Sequence, residues 1–553
     1  MLRDLVIAFS MANLWFIDLW QVFLIPHASG YPYYHWKLNP ATFLLATMLD
    51  ALILATILFA SMTLVRRTNK QALSITARAI LVLVVFLLIM NLPLGLLLNP
   101  GQNFVLFRWR GSTTVYLWLV ALALAAGWLL AAVFIYASLF RRQHLIKIAT
   151  SMVLVTAPMT LITFSQASWQ WFQYRSGNQF RSGVVRALPP NPARPRRVLW
   201  IVFDELDFNL SFLNRPANVE LPEFDRLRRE SLFAENAHPP ADDTLLSIPA
   251  LITGRLVTKS VPRNPNELML TFEDESASVG WSTQPNVFSK ARAMGLNTGL
   301  VGWYHPYCRI IGNDLTDCSW ETTTMLFFAD ARTGDFVSHS EKASLASCMK
   351  QVAKGLLFPW LARIVFPIDY GTVWRSHSIS EFENIHHRAM QMAVDSNLSF
   401  VFLHYPIPHP PGIYDPHSNS LTTSHDAGYA NNLLLADRVL EELRQRMTAA
   451  GEWERTTLVI TSDHHLRSER LWNADELLLE PGAFTKQVDS RIPFLVKLGG
   501  SNEGVEYDSE FNTVVTGDLL LAVLSGKVST KDDLVSWLNE HRIMAKSLYT
   551  EEK

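Results

Sequence analysis

VLWIVFDELD, residues 198–207, opens with six consecutive apolar residues and stops abruptly at two acids. A short run without polar alternation suits a strand buried on both faces, as in a parallel sheet flanked by helices. Similar runs recur at 298–302, 399–404 and 457–461, and helical stretches lie between them. The clearest helix spans 429–448, where Leu433, Leu434, Leu440 and Leu443 are set among Asp437, Arg438, Glu441 and Glu442. Strands alternating with helices predict an α/β domain with a mostly parallel central sheet. Ligands of such sheets bind beyond the carboxyl ends of the strands. Residues directly after each run are therefore the candidates for chemistry.

Three of those ends carry metal-ligating side chains. The first run ends in Asp204-Glu205, the 399–404 run in His404 with His409 shortly after, and the 457–461 run in Ser462-Asp463-His464-His465. Carboxylates and imidazoles at one sheet edge are what a hard-to-borderline divalent cation needs. His465, Asp415 and His417 are spare candidates for a second ion. Ester chemistry also needs a nucleophile, and PPADDTLLSIPALITGR (239–255) supplies hydroxyls in a Pro-bounded loop entering a helix. Thr244 or Ser247 at that helix start would meet backbone N–H groups that favour an alkoxide and an incoming anion. Thr244 suits a plain N-cap equally well.

The first part of the chain is of another kind. Residues 1–175 carry 12 Lys/Arg against 3 Asp/Glu and the rest 36 against 47, two unlike halves behind a net charge of −2. That near-neutral total gives no reason to expect a nucleic-acid partner. Five apolar stretches, about 5–25, 41–65, 74–98, 114–139 and 145–167, reach the roughly 20 residues that span a bilayer core. Arg66, Arg67, Lys70 and Arg78, then Arg141, Arg142 and Lys147, mark the cytoplasmic loops. An odd number of spans puts everything after residue 170 outside, with Trp169, Trp171, Phe172 and Tyr174 at the outer interface. Asp18 and Asp50 fall inside spans one and two, at depths where a carboxylate is costly. The expected organisation is a transmembrane helical bundle over 1–172, a proline-rich linker over 173–196 (ALPPNPARPRR at 187–197) and a catalytic domain over 197–553. Residues 513–542 close it as a helical segment. Outside the membrane, Cys308 and Cys318, ten apart around a turn, are a candidate disulfide.

VLWIVFDELD, LPEFDRLRRES and NAHPPADDTLLSIPALITGR together resemble the opening of the sulfatase branch of the alkaline-phosphatase superfamily. KARAMGLNTGLVGWYHPY (290–307), HYPIPHPP (404–411), TSDHH (461–465) and SRIPFLVK (490–497) resemble later blocks of that family, in its order. Five spans before such a domain also resemble the membrane phosphoethanolamine and phosphoglycerol transferases. The resemblance implies that Asp204, Asp463 and His464 bind the metal with Thr244, and that Glu205 is a second acidic ligand. Thr244 would be the nucleophile, His409 the substrate contact or acid for the leaving group, and His305 and His404 further substrate contacts. Asp, Thr, Asp and His ligation fits Zn²⁺ or Mn²⁺ better than Ca²⁺ or Mg²⁺.

The departures from the family pattern matter too. Formylglycine sulfatases need Cys or Ser in a C/S-x-P-x-R motif, and Thr244 cannot make that aldehyde. Ser247-Ile248-Pro249 imitates the motif but has Leu251 where Arg is required. The lysine that sulfatases place before Trp-His is also missing from Trp303-Tyr304-His305. The expected activity is transfer or cleavage of phosphoryl esters on envelope lipids or lipid-linked glycans, by an inner-membrane protein with its catalytic domain on the periplasmic side. The alternatives are a sulfuric ester hydrolase without formylglycine and an inactive envelope scaffold.

Overall fold

A computed structural model describes residues 1–16, 19–20, 24, 34–37, 39–67, 150–151, 153–176, 183–189, 196–322, 344–357, 370–467 and 490–544. The chain divides into two compact units. The first comprises Met1–Ala28, Leu38–Asn178 and Phe327–Ile368, and the second Ser29–Lys37, Gln179–Leu326 and Asp369–Lys553. This departs from a simple cut near 172, because a short piece from the loop after the first apolar stretch belongs to the second unit. The physical reason is burial: Tyr34 and Trp36 have no exposed surface, and Tyr34 is part of a core cluster with strand residues Val198, Trp200 and Val202.

In the first unit, α1 spans Leu2–Trp15, α2 Pro40–Arg67 and α3 Ala157–Ser176. Among the described residues one helix, Pro40–Leu64, is long and apolar enough to cross a membrane, against the five expected. The expected spans at 74–98 and 114–139, and Asp18, lie outside the described residues. The last expected stretch is interrupted. A turn at Thr156, whose amide and hydroxyl both bond Val153 O, precedes a fresh helix start that tolerates Pro158 in its first turn. That helix then runs on through Trp169, Trp171, Phe172 and Tyr174, beyond the expected end.

The second unit is built on an eight-stranded sheet. Its strands are β1 (Arg197–Asp204), β2 (Leu232–Ala234), β3 (Thr298–Trp303), β4 (Asp317–Glu321), β5 (Phe400–Pro408), β6 (Thr456–Ser462), β7 (Phe494–Lys497) and β8 (Val505–Tyr507). Their order is β8-β2-β7-β6-β1-β5-β3-β4. The pairs β6-β1, β1-β5, β5-β3 and β3-β4 are parallel, and β7 runs antiparallel to both β6 and β2. Every residue of β1 is buried, as its unbroken apolar run implies. Val198, Trp200 and Val202 pack on one face, Leu199, Ile201 and Phe203 on the other. The side-chain period of two thus serves two cores.

Helices α4 (Pro222–Glu230) and α5 (Thr244–Thr253) follow β1 and β2. The long α6 (Tyr370–Met392) and α7 (Tyr429–Ala449) cover the β5 side. The expected closing helix is two, Thr516–Ser525 and Lys531–His541, divided where Gly526 adopts a left-handed φ of 82°. The linker is also less free than its prolines suggest. Gly183 N donates to Cys308 O, Val185 N to Leu315 O and Leu188 N to Asn297 Oδ1, which lays this segment along the unit.

Cys308 and Cys318 are disulfide-bonded, just after β3 and within β4. Closing a loop of about ten residues stabilises by about 3 kcal/mol in the chain-entropy treatment. Replacing both cysteines with Ser is therefore expected to lower the unfolding free energy by about that amount. Thermal melts of the oxidised and double-Ser proteins that coincide would contradict it.

Candidate active site

The carboxyl ends of β1, β5 and β6 lie side by side in the sheet, so their terminal residues converge. Asp204, Asp463 and His464 are completely buried, and one ligand atom from each lies within 4.8 Å of the others. Thr244 Oγ1 donates to Asp204 Oδ2 at 3.2 Å and lies 3.3 Å from His464 Nε2. His464 Nδ1 donates to His465 O, which leaves Nε2 as the bare nitrogen turned inward, 3.5 Å from Asp204 Oδ1 and from Asp463 Oδ2. A carbonyl fixing the far nitrogen of a ligating imidazole is the usual support of a metal ligand.

Three buried atoms at this point have no hydrogen-bond partner: Asp204 Oδ1, Asp463 Oδ2 and His404 Nε2. Leaving them so would cost several kcal/mol in total, on the order of 1–3 each. Burial pushes Asp463 well above the usual carboxylate range, and the neighbouring Asp204 adds to the effect. Burial alone would raise Asp204 too, but His409, His404 and His464 hold it well below that range. Two buried carboxylates with inward lone pairs and a preset imidazole fit a divalent cation, which would satisfy all of them at once.

The hydroxyl is presented by the start of α5. Its N-cap is Asp243, whose side chain accepts from Leu246 N at 2.8 Å. The capping role is thereby filled, and Thr244 Oγ1 is left free to face Asp204 and His464. Ser247, the other candidate, is buried with its hydroxyl donated to Ala241 O.

Glu205 stands apart from the cluster. Its backbone takes a φ of 63°, which turns its carboxylate onto Arg467 at 3.1 Å while its amide donates to Asp463 Oδ1. His404 and His305, the expected substrate contacts, are fully enclosed, as Asp204 and His464 are. His404 Nδ1 bonds Trp303 O and Tyr307 OH, and its Nε2 faces Asp204 Oδ2 at 3.7 Å. Burial pushes His305 well below the usual imidazole range, so the ring is neutral. It sits behind Thr244, with Nε2 3.1 Å from Thr244 O. His409 is half-buried, its amide donates to Asp204 O, and its Nδ1 bonds Pro410 O. That leaves Nε2 available to a substrate. His465 is buried beside the cluster, and half-buried Asp415 and exposed His417 meet in a local turn, where His417 N donates to Asp415 Oδ1.

Sequence reasoning passed over Arg467, four residues after Asp463 in the same block. It is largely buried and sets a permanent positive charge beside Glu205, Asp204 and Asp463.

A sulfatase family model matches residues 381–519, which include His404, His409, Asp463 and His464. Over those residues the chain is similar to the sulfatase family. Solved structures similar to it include Ps i-CgsB in complex with k-i-k-neocarrahexaose, at 15% identity and a TM-score of 0.40, covering 62% of this chain and 74% of that one. Another is the phosphonate monoester hydrolase of Agrobacterium radiobacter, at 12% identity and 0.36, with coverages of 60% and 74%. The lipoteichoic acid synthase LtaP from Listeria monocytogenes gives 12% and 0.33, with coverages of 62% and 76%. No curated protein sequence matches the chain.

Proposed function

We propose that this sulfatase-like domain cleaves or transfers a phosphoryl ester through Thr244, acting outside a membrane in which the N-terminal helices are embedded. The substrate class we favour is an envelope lipid or lipid-linked glycan bearing a phosphodiester. The observation that carries the reading is Thr244 Oγ1 lying within hydrogen-bond reach of both Asp204 Oδ2 and His464 Nε2, at the start of a helix capped by another residue. Asp204, Thr244, Asp463 and His464 would hold the divalent ion, Zn²⁺ or Mn²⁺ by ligand type, and the ion would supply Lewis-acid stabilisation of the anionic oxygens.

This chain's own groups account for the rest. Thr244 Oγ gives up its proton to solvent and bonds to phosphorus as the ester P–O bond breaks. In the second displacement the acceptor oxygen bonds to phosphorus as the Thr244 Oγ–P bond breaks, and Thr244 takes a proton back from solvent. The departing alkoxide takes a proton from His409 Nε2 when that ring carries two, and the neutral ring then accepts a proton from the incoming acceptor hydroxyl or water. Arg467 contributes a fixed charge to the anion, and Asp243 holds the α5 start in place. Thr at 244 favours phosphoryl chemistry, because a route through formylglycine needs Cys or Ser.

The test is to incubate the full-length protein with an aryl phosphodiester and an aryl sulfate and to map any covalent mass on 239–255. A phosphoryl-sized adduct on Thr244, with turnover of the diester, is expected. Turnover of the sulfate but not of the diester would replace this reading with sulfuric ester hydrolysis. Absence of both activities and of bound metal would leave a scaffold.

A further inference from the structure

The segment Tyr34–Lys37 comes from the loop between the first two apolar stretches, yet it lies in the catalytic unit. It is fastened there by five contacts. Arg309 Nη2 donates to Tyr34 O at 2.6 Å and Nη1 to Trp36 O at 2.7 Å. Lys37 Nζ pairs with Glu321 at 2.7 Å, both nearly buried. His35 Nδ1 donates to Tyr304 O at 2.8 Å. Tyr34 OH meets His305 Nδ1 at 2.8 Å, with both groups fully buried.

The last contact has a direction. His305 Nε2 bonds the Thr244 carbonyl, which can only accept, so Nε2 carries the proton. Nδ1 is then a bare acceptor, and the Tyr34 hydroxyl donates into it. A relay thus runs from Tyr34 through His305 to the backbone of Thr244. The receiving turn is also conformationally costly, since Tyr304 has a φ of 76°, a region disfavoured for a bulky side chain. His35 and Tyr34 bind the two successive residues of that turn.

We propose that Tyr34 is a positioning residue of the active site: its hydroxyl fixes the His305 tautomer that anchors Thr244, so the loop between the first two apolar stretches completes the catalytic unit. This rests on the assignment of Thr244 as nucleophile. Tyr34→Phe removes only the hydroxyl and keeps the ring edge-on to His35 and His305.

The test uses the full-length, metal-loaded protein as wild type, Tyr34→Phe, His305→Ala and the double variant, assayed on the aryl phosphodiester. Tyr34→Phe is expected to lower kcat about tenfold with KM within about twofold, the size of effect that contacting residues show in such cycles. Because Tyr34 acts through His305, the double variant is expected to be no slower than His305→Ala alone. A Tyr34→Phe protein with wild-type kcat, or losses that multiply in the double variant, overturns the proposal. Thermal midpoints of the same four proteins make an activity-independent cycle. A loss from Tyr34→Phe that vanishes over His305→Ala supports the link, and additive losses refute it. Full turnover by Thr244→Ala would instead remove the nucleophile assignment, while the thermal cycle would still decide the Tyr34–His305 link.

Discussion

Thr244→Ala is expected to reduce kcat on a phosphodiester by about 10⁴-fold or more, the scale on which removal of a covalent nucleophile is felt. The loss should fall on kcat, because Asp204, Asp463, His464 and Arg467 would still hold metal and anion. Thr244→Ser keeps an oxygen at the same place, capped by the same Asp243–Leu246 bond, and should retain measurable turnover. It loses only the γ-methyl and gains rotamer freedom. Steady-state kinetics with parallel metal analysis separates these outcomes. A Thr244→Ala protein turning over within about tenfold of wild type would mean that water attacks directly, without the covalent step.

The second large effect is expected from Asp463→Asn, and its sign depends on the metal. With a divalent ion bound, the amide removes one ligand charge, so affinity and turnover should both collapse. Chelation of the wild type should lower its thermal midpoint, since a ligand at 1,000 times its dissociation constant stabilises by about 4 kcal/mol. In the stripped protein the order reverses. Asp204 and Asp463 then face each other as buried, mutually destabilising acids, and Asp463→Asn relieves that repulsion. Stripped Asp463→Asn is thus expected to melt above stripped wild type, while the loaded proteins rank the other way. Midpoints that never cross with metal content would refute a metal shared by these carboxylates.

The sheet was legible in the sequence because its central strands are buried on both faces and read as uninterrupted apolar runs. β1, β3, β5 and β6 lie where those runs are, and the acids and imidazoles at their ends meet because the strands are parallel neighbours. Direction was not legible. Nothing in DELD says that Glu205 turns away to Arg467, since that depends on one left-handed φ. Nor does the sequence say that His305 and His404 are enclosed, because the orientation of a ring beyond a strand end is set by packing. Asp243 and Thr244 are both good caps, and only the observed bond to Leu246 assigns the role to Asp243. The strap at 34–37 carried no signal, because contacts at long separation leave no local pattern.

The bond between Tyr34 and His305 joins residues 271 positions apart. During synthesis Tyr34 is made first and has no partner until the chain beyond residue 305 has emerged. Domains generally fold as units in the order of their synthesis, but this unit takes one of its pieces from near the start of the chain. Until His305 has emerged the strap has only its tether, and Asp463 and His464 of the same pocket are made later still. A protein clipped between Lys37 and Arg197 keeps every strand of the sheet but loses the covalent link that holds Tyr34 near His305.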